Sequence, residues 1–439
     1  MEIHGPSSTS TDHGRPRPPG RRQRPQRAAL TALVVVAAVA LGACTTSEGS
    51  DGSGDGDASP TTSEVPTTEA GTEATGEPVK IGYVNTDSGA TAIPELTEGA
   101  EIAAERINAH GGGIGGRPIE LVTCGTDGTP ESSASCANEM ISEGVIAVIE
   151  GADLGSDAKI PILQDAGIAT LGTSTIGTGQ SLNQDAFFFS PAATTYPAVE
   201  VDLAASIGAK SITLLLPDVP QVPVVSDIGA KQAELNDVQV QVVTFDPAAP
   251  DFDASLAAIM SNGSDAIATI ATDDWCTGMV RAARSAGFEG DLIMGTCGRF
   301  AEELGVDETE GVYGISSVWS PRSVDFAPDE AKQVIDEYVA AMDADGKGDD
   351  IMGLSFGGYA AVQQAAWVLS TIEGELTAET VLAAMKVMKD GPNPLGQPIT
   401  CDPRPQPGFS GCTTGWMFFQ QQPDGQAKPV VDEFVIPKS

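Results

Sequence analysis

Three sets of residues in this 439-residue chain have types and spacings that could do chemistry: a serine framed by glycines, a glycine triplet and seven cysteines. Gly353-Leu354-Ser355-Phe356-Gly357 fits the G-x-S-x-G pattern, in which a sharp strand-to-helix turn exposes a nucleophilic serine. That chemistry needs a strand ahead of the serine and a histidine to take its proton. Residues 346–350 read as a turn, and no histidine follows His110; the others are His4 and His13. The motif therefore reads as the glycine-rich start of a helix, and no enzyme is expected. Gly111, Gly113 and Gly116 fit G-x-G-x-x-G, but a dinucleotide fingerprint follows a strand and opens a helix. Here the order is reversed, so the glycines stop a helix. No P-loop is present. The cysteines show no C-x-x-C spacing and have almost no histidine company, which argues against zinc. The acidic run 51–57 could hold calcium weakly but reads as a solvated linker. No metal or cofactor is expected.

The charge balance removes further classes. Net charge is −38, yet residues 1–43 are basic, with six arginines against Glu2 and Asp12. The remainder holds 17 Lys+Arg against 59 Asp+Glu, a charge of −42. Nucleic-acid binding needs a basic footprint, so none is expected. Such acidity speaks to a solvated, self-repelling surface.

Arginines at 15–27 precede an apolar run over 28–40, too short to span a bilayer comfortably and of the right length for a signal-peptide core. The run ends in Leu41-Gly42-Ala43-Cys44, which resembles the lipobox of bacterial lipoproteins. That resemblance implies cleavage before Cys44 and a diacylglycerol on its thiol. Residues 45–78 are rich in Ser, Thr, Gly, Asp and Glu and nearly lack large apolar side chains, so they read as a flexible tether. The folded body is then expected outside the cytoplasmic membrane. In an exported chain, an even set of cysteines at short separations reads as disulfides. Six cysteines permit fifteen connectivities; proximity favours Cys124 with Cys136, Cys276 with Cys297, and Cys401 with Cys412.

The elements that would position a site begin at residue 79. Val79, Ile81 and Tyr83 have the alternation of a strand, and Leu96, Ala100, Ala103 and Ile107 have the spacing of a helix face. Residues 119–123 form a second apolar strand, so the three make a parallel βαβ unit with a right-handed crossover. The pattern repeats through strands at 145–149, 168–171 and 187–189, then again at 212–216, 238–245, 265–272, 292–295 and 312–316. The chain is expected to cross between two lobes near 191–197, near Ser317 and within 400–435, with residues 415–420 a strand of the second lobe. The expected architecture is α/β, two doubly wound parallel-sheet lobes joined by a three-crossing hinge. The first lobe takes 79–195 with 318–400, and the second takes 196–317 with 401–439.

The residues LTEGAEIAAERINAHGGGIGGRPIEL, 96–121, resemble the first helix and second strand of the type I periplasmic-binding fold, in its branched-chain amino acid and amide-binding subgroup. The likeness in pattern runs from Val79 to Val435. It implies a lipid-anchored solute-binding protein that passes a small polar ligand (an amino acid, an amide or a related metabolite) to an ABC permease by cleft closure. The expected protein is a monomer. A sensor of the same fold, signalling to a membrane partner, is the alternative.

In open parallel sheets, ligands lie beyond the carboxyl ends of the strands. That places Ser88 and Gly89, Asp153 and Leu154, Ser174 and Thr175, Gln221, residues 272–275 and Cys297 around the site. The resemblance selects much the same set. It implies that backbone N–H groups and hydroxyls of Ser174, Thr175 and Ile176 hold a ligand carboxylate. Asp153 stands where a serine is usual and would repel a carboxylate, or receive an amide or amine. Cys297 stands where an acid commonly receives an ammonium, so Asp273 or Asp274 could replace the lost carboxylate, and the aromatic usual near Thr272 and Asp273 is displaced to Trp275. Asp273 and Asp274 could equally cap the helix that follows, and Trp275 could be core. These departures argue against a standard branched-chain amino acid site.

Overall fold

The computed structural model describes residues 71–438, apart from 90, 91, 220, 221, 271, 272, 296, 298 and 299. The first sheet is laid down by β1 (Val79–Thr86), α1 (Pro94–His110), β2 (Ile119–Thr126), α2 (Pro130–Glu143), β3 (Ala147–Glu150), α3 (Ser156–Asp165), β4 (Ala169–Gly172), α4 (Thr178–Leu182) and β5 (Ala186–Phe188). Its order is β2-β1-β3-β4-β5, every pairing parallel. Strand β1 is buried along almost its whole length because its neighbours and the helices on both faces leave it no wet side. Helix α1 starts at a proline, whose missing N–H costs nothing there. It ends where Gly112 and Gly113 turn the chain at φ +71° and +68°.

The second sheet follows from α5 (Tyr196–Ser206), β6 (Ser211–Pro217), α6 (Val222–Asn236), β7 (Gln239–Phe245), α7 (Phe252–Asn262), β8 (Ala266–Thr269), α8 (Asp273–Ala286), β9 (Asp291–Met294), α9 (Phe300–Leu304), α10 (Val306–Thr309) and β10 (Tyr313–Ser316). The chain then adds α11 (Asp329–Ala344), α12 (Ser355–Ser370) and α13 (Ala378–Met385), and closes with β11 (Met417–Gln421) and β12 (Ala427–Pro429). The second sheet has the order β12-β11-β10-β9-β8-β6-β7. Strands β6 to β10 pair in parallel, and β11 and β12 extend the edge antiparallel.

Helices α11 and α12 return to the first lobe, where Tyr338, Phe356 and Tyr359 join the core under β1 and β3. The G-x-S-x-G serine opens α12, and Ser355 is 0% exposed. Its neighbours Gly357 and Gly358 let α12 meet α1 closely, since a Cβ on Gly358 would strike the Leu96 carbonyl and one on Gly99 the Ser355 carbonyl. The glycine frame serves helix packing.

Three segments link the lobes. Ser190 and Ser317 place their hydroxyls 2.6 Å apart, joining the first and second segments. Thr413 Oγ1 donates to the Phe189 carbonyl at 3.3 Å, joining the third to the first. The sequence reading assigns residues from 401 onward to the second lobe, whereas residues 401–412 stay against β5. Gly411 bridges Phe188, and Arg404 Nη2 donates to the carbonyls of Gln184 and Ala186 at 3.0 and 2.7 Å. The Cys401–Cys412 disulfide closes this loop, so the chain joins the second sheet at Met417. Disulfides also join Cys124 to Cys136 and Cys276 to Cys297. Among the described residues, no helix is long and apolar enough to cross a membrane. Cys44 lies outside the described residues.

Candidate functional site

The carboxyl ends of β1, β3 and β4 carry three short loops, of which those after β1 and β3 are tied to each other. Asn85, fully buried at the end of β1, donates to Asp87 Oδ1 at 2.6 Å and to the Ile93 carbonyl at 2.7 Å, while its Oδ1 accepts from Ala152 N–H at 2.8 Å. The first and third strand ends are thereby locked together. Ser88 is exposed on the first loop, with its hydroxyl turned to the Thr126 carbonyl at 3.2 Å. Leu154, at the tip of the loop after β3, is 52% exposed.

Asp153 is 0% exposed and faces inward. Its Oδ1 accepts from Ser133 Oγ at 2.7 Å, Thr126 Oγ1 at 3.1 Å and Gly155 N–H at 3.2 Å. Its Oδ2 lies 2.8 Å from Lys159 Nζ, and the same ammonium lies 2.8 Å from Glu150 Oε2. A buried charge demands a partner, and Lys159 supplies one to two carboxylates. Burial pushes the Glu150 carboxyl up to about 7; Lys159 opposes that rise and Asp153 adds to it. Asp153 therefore spends its hydrogen-bonding capacity inside the lobe, shaping the loop from beneath.

The loop after β4 holds Thr173, Ser174, Thr175 and Ile176. Thr175 is buried, its hydroxyl 2.8 Å from Ser181 Oγ and accepting Ala193 N–H at 2.8 Å, so it links this loop to the first crossing segment. Ile176 N–H is taken by Gln180 Oε1 at 2.6 Å, and the Ile176 side chain is 40% exposed. Ser174 is half-buried, with its hydroxyl donating to the Thr175 carbonyl at 3.3 Å. Among the described residues, no hydrogen bond claims the N–H of Ser174 or of Thr175. Two such donors beside a hydroxyl can receive an anionic or carbonyl oxygen. Behind them runs a polar chain: Thr173 Oγ1 donates to Gln364 Oε1 at 2.7 Å, and Gln364 Nε2 to Asn393 Oδ1 at 2.9 Å.

Across the second sheet, the structure brings Trp275, Cys276 and Cys297 to the ends of β8 and β9. Trp275 is half-buried with its ring edge-on to Phe245, centroids 5.1 Å apart, within an apolar cluster. Asp273 opens α8, so the helix begins two residues before the Trp275 start that the sequence suggests. Cys297 is joined to Cys276 and offers no free thiol. Gln221 and Thr272 lie outside the described residues.

Sequence reasoning missed two groups. Lys159 and Glu150 carry the signal of charges placed inside apolar runs, nine residues apart. Glu200 carries the same signal within α5, a helix whose other central residues are buried. It is 0% exposed, with no hydrogen-bond partner on either carboxyl oxygen. Burial holds it well above the usual carboxylate range.

A family model described as a periplasmic binding protein matches residues 78–425. Solved structures of the same fold include a leucine-binding protein from Thermotoga maritima, 20% identical, covering 82% of this chain and 99% of its own, with a TM-score of 0.65. A branched-chain amino acid transporter substrate-binding protein from Streptococcus pneumoniae, in complex with isoleucine, is 19% identical, covering 82% and 100%, with a TM-score of 0.66. An ABC transporter substrate-binding protein from Sphaerobacter thermophilus is 21% identical, covering 82% and 98%, with a TM-score of 0.66. No curated protein matches the chain.

Proposed function

Because the chain belongs to the periplasmic binding protein family, we propose that it is an extracytoplasmic, lipid-anchored receptor that carries a small polar solute to an ABC importer. The observation that carries this reading is the Ser174–Thr175 step, two N–H donors and a hydroxyl at the carboxyl end of a parallel strand. The solute's carboxylate or carbonyl rests there. The leucine-binding protein and the isoleucine complex among the structures of the same fold favour an amino acid or a close analogue. The inward-facing Asp153, matched to Lys159, is no obstacle to a carboxylate, because its charge is compensated within the lobe. Closure of the two lobes about the three crossing segments adds second-lobe contacts and shifts the population toward the form an importer recognises. The lipid on Cys44 and the tether after it keep the receptor near the membrane.

A thermal-shift screen of the purified protein against amino acids, amides, ureas and carboxylic acids tests the reading. A ligand at 100 times its dissociation constant adds about 2.7 kcal/mol of stability. A clear rise in Tm for one chemical class supports solute binding, and no rise across all four classes counts against it.

A further inference from the structure

Glu200 stands one turn after Tyr196 on α5, flanked by the buried side chains of Val199 and Val201. Neither of its oxygens has a hydrogen-bond partner. A Cβ placed on Gly295 would come within 3.0 Å of Glu200 Oε1, and within 3.4 Å of both the Thr269 carbonyl and the Tyr196 ring. A glycine at 295 is therefore what allows the carboxyl to reach this point. Thr269 is the last residue of β8, and Gly295 directly follows β9. The Glu200 carboxyl and the Thr269 carbonyl, which already takes Gly295 N–H at 3.0 Å, meet at the end of the sheet where parallel-sheet ligands lie. Two oxygen acceptors converge there beside the Tyr196 ring. Left unpaired, an ionised carboxylate in such a place is strongly disfavoured, and an N–H cation is the group that matches it.

We propose that Glu200 is a specificity-determining residue of the second lobe, receiving the protonated amine of the bound solute. The inference rests on the solute-binding reading and narrows it to amine-bearing ligands. Its signature follows from the charge environment. Burial raises the Glu200 titration; among the described residues no charged group on α6, β6, β8 or β9 acts on it, and Tyr196 is the titratable neighbour, its phenol pushed up by burial and by Glu200. Burial disfavours the Glu200 carboxylate in the free protein, and an ammonium set against it favours that ionised form, so binding is coupled to loss of a proton from Glu200.

The test uses the full chain, its Glu200→Gln variant and its Gly295→Ala variant, which crowds Oε1. Probes are the L-amino acids, their deaminated acids, and the simple amines and amides of matching side chains. Calorimetry in buffers of different ionisation enthalpy reads both affinity and proton release. The expected result is an amine-bearing ligand that releases a proton on binding wild type, at least tenfold weaker binding in both variants, and no proton release in Glu200→Gln. The deaminated acid should bind all three proteins alike. Equal amine binding by Glu200→Gln, or wild type that binds amine-free probes alone, overturns the role of Glu200 and leaves solute binding standing. Failure of every probe on wild type overturns both.

Discussion

The Lys159 ammonium lies 2.8 Å from the Glu150 carboxylate with both side chains 0% exposed, and this pair, with Asp153, is the electrostatic centre of the first lobe. It sits directly under the loop after β3, so its energetics reach the candidate site through that loop. Removing one member of a buried pair leaves an uncompensated charge. Lys159→Met is expected to cost about 3–5 kcal/mol of stability, measured by urea unfolding.

The same centre sets a pH dependence. Glu150 titrates at about 7 in the folded chain against an ordinary 4.5. Between those values the folded state binds the proton that the unfolded state has lost, so this group's contribution to stability falls as pH rises through the window. Glu150→Gln should flatten that part of the stability–pH profile. An unchanged slope in the variant would show that Glu150 is not the group responsible.

Arg404 clamps the 401–412 loop to β5 through carbonyls of Gln184, Ala186 and Ser410, with its guanidinium carbon 4.9 Å from the Phe187 ring centroid. Arg404→Ala should destabilise the protein by about 2–4 kcal/mol, since each charge-assisted bond contributes about 1.5–3 kcal/mol and they are not additive. Faster proteolysis near residues 401–412 is the accompanying readout.

Gly358→Ala tests the glycine frame as packing. The added Cβ would strike the Leu96 carbonyl, so α1 and α12 must move apart at a cost of about 1–3 kcal/mol or more. By contrast, Ser355→Ala should change stability little, and neither it nor wild type should react with serine-directed probes.

Ser174→Ala removes the hydroxyl beside the two unclaimed N–H groups. Affinity for a carboxylate-bearing ligand is expected to drop about tenfold, or about 1.4 kcal/mol, with unfolding in the absence of ligand nearly unchanged. Calorimetric titration of variant and wild type decides it.

The βα repeat, the parallel lobes and the return of the chain to the first lobe were legible in the sequence, because burial on both faces of a parallel sheet writes continuous apolar strands at regular spacing. Ser174, Thr175 and Ser88 could be placed at strand ends for the same reason. The inward turn of Asp153 was not legible. Its partners Lys159, Ser133 and Thr126 come from three other elements, and a loop aspartate looks alike whether it faces solvent or core.

By itself the sequence determined the period of each element, the helix stop at the glycines after His110, and the lack of any histidine after His110 to serve the G-x-S-x-G serine. These are local properties or matters of composition, fixed by side-chain pattern and count. Only the tertiary structure decided that residues 401–412 remain on β5, that the glycines beside Ser355 seat α12 on α1, and that Glu200 meets Gly295 at the end of β9. Each depends on residues distant in the chain arriving within a few ångströms of one another, and no spacing along a sequence encodes where two separate surfaces will touch.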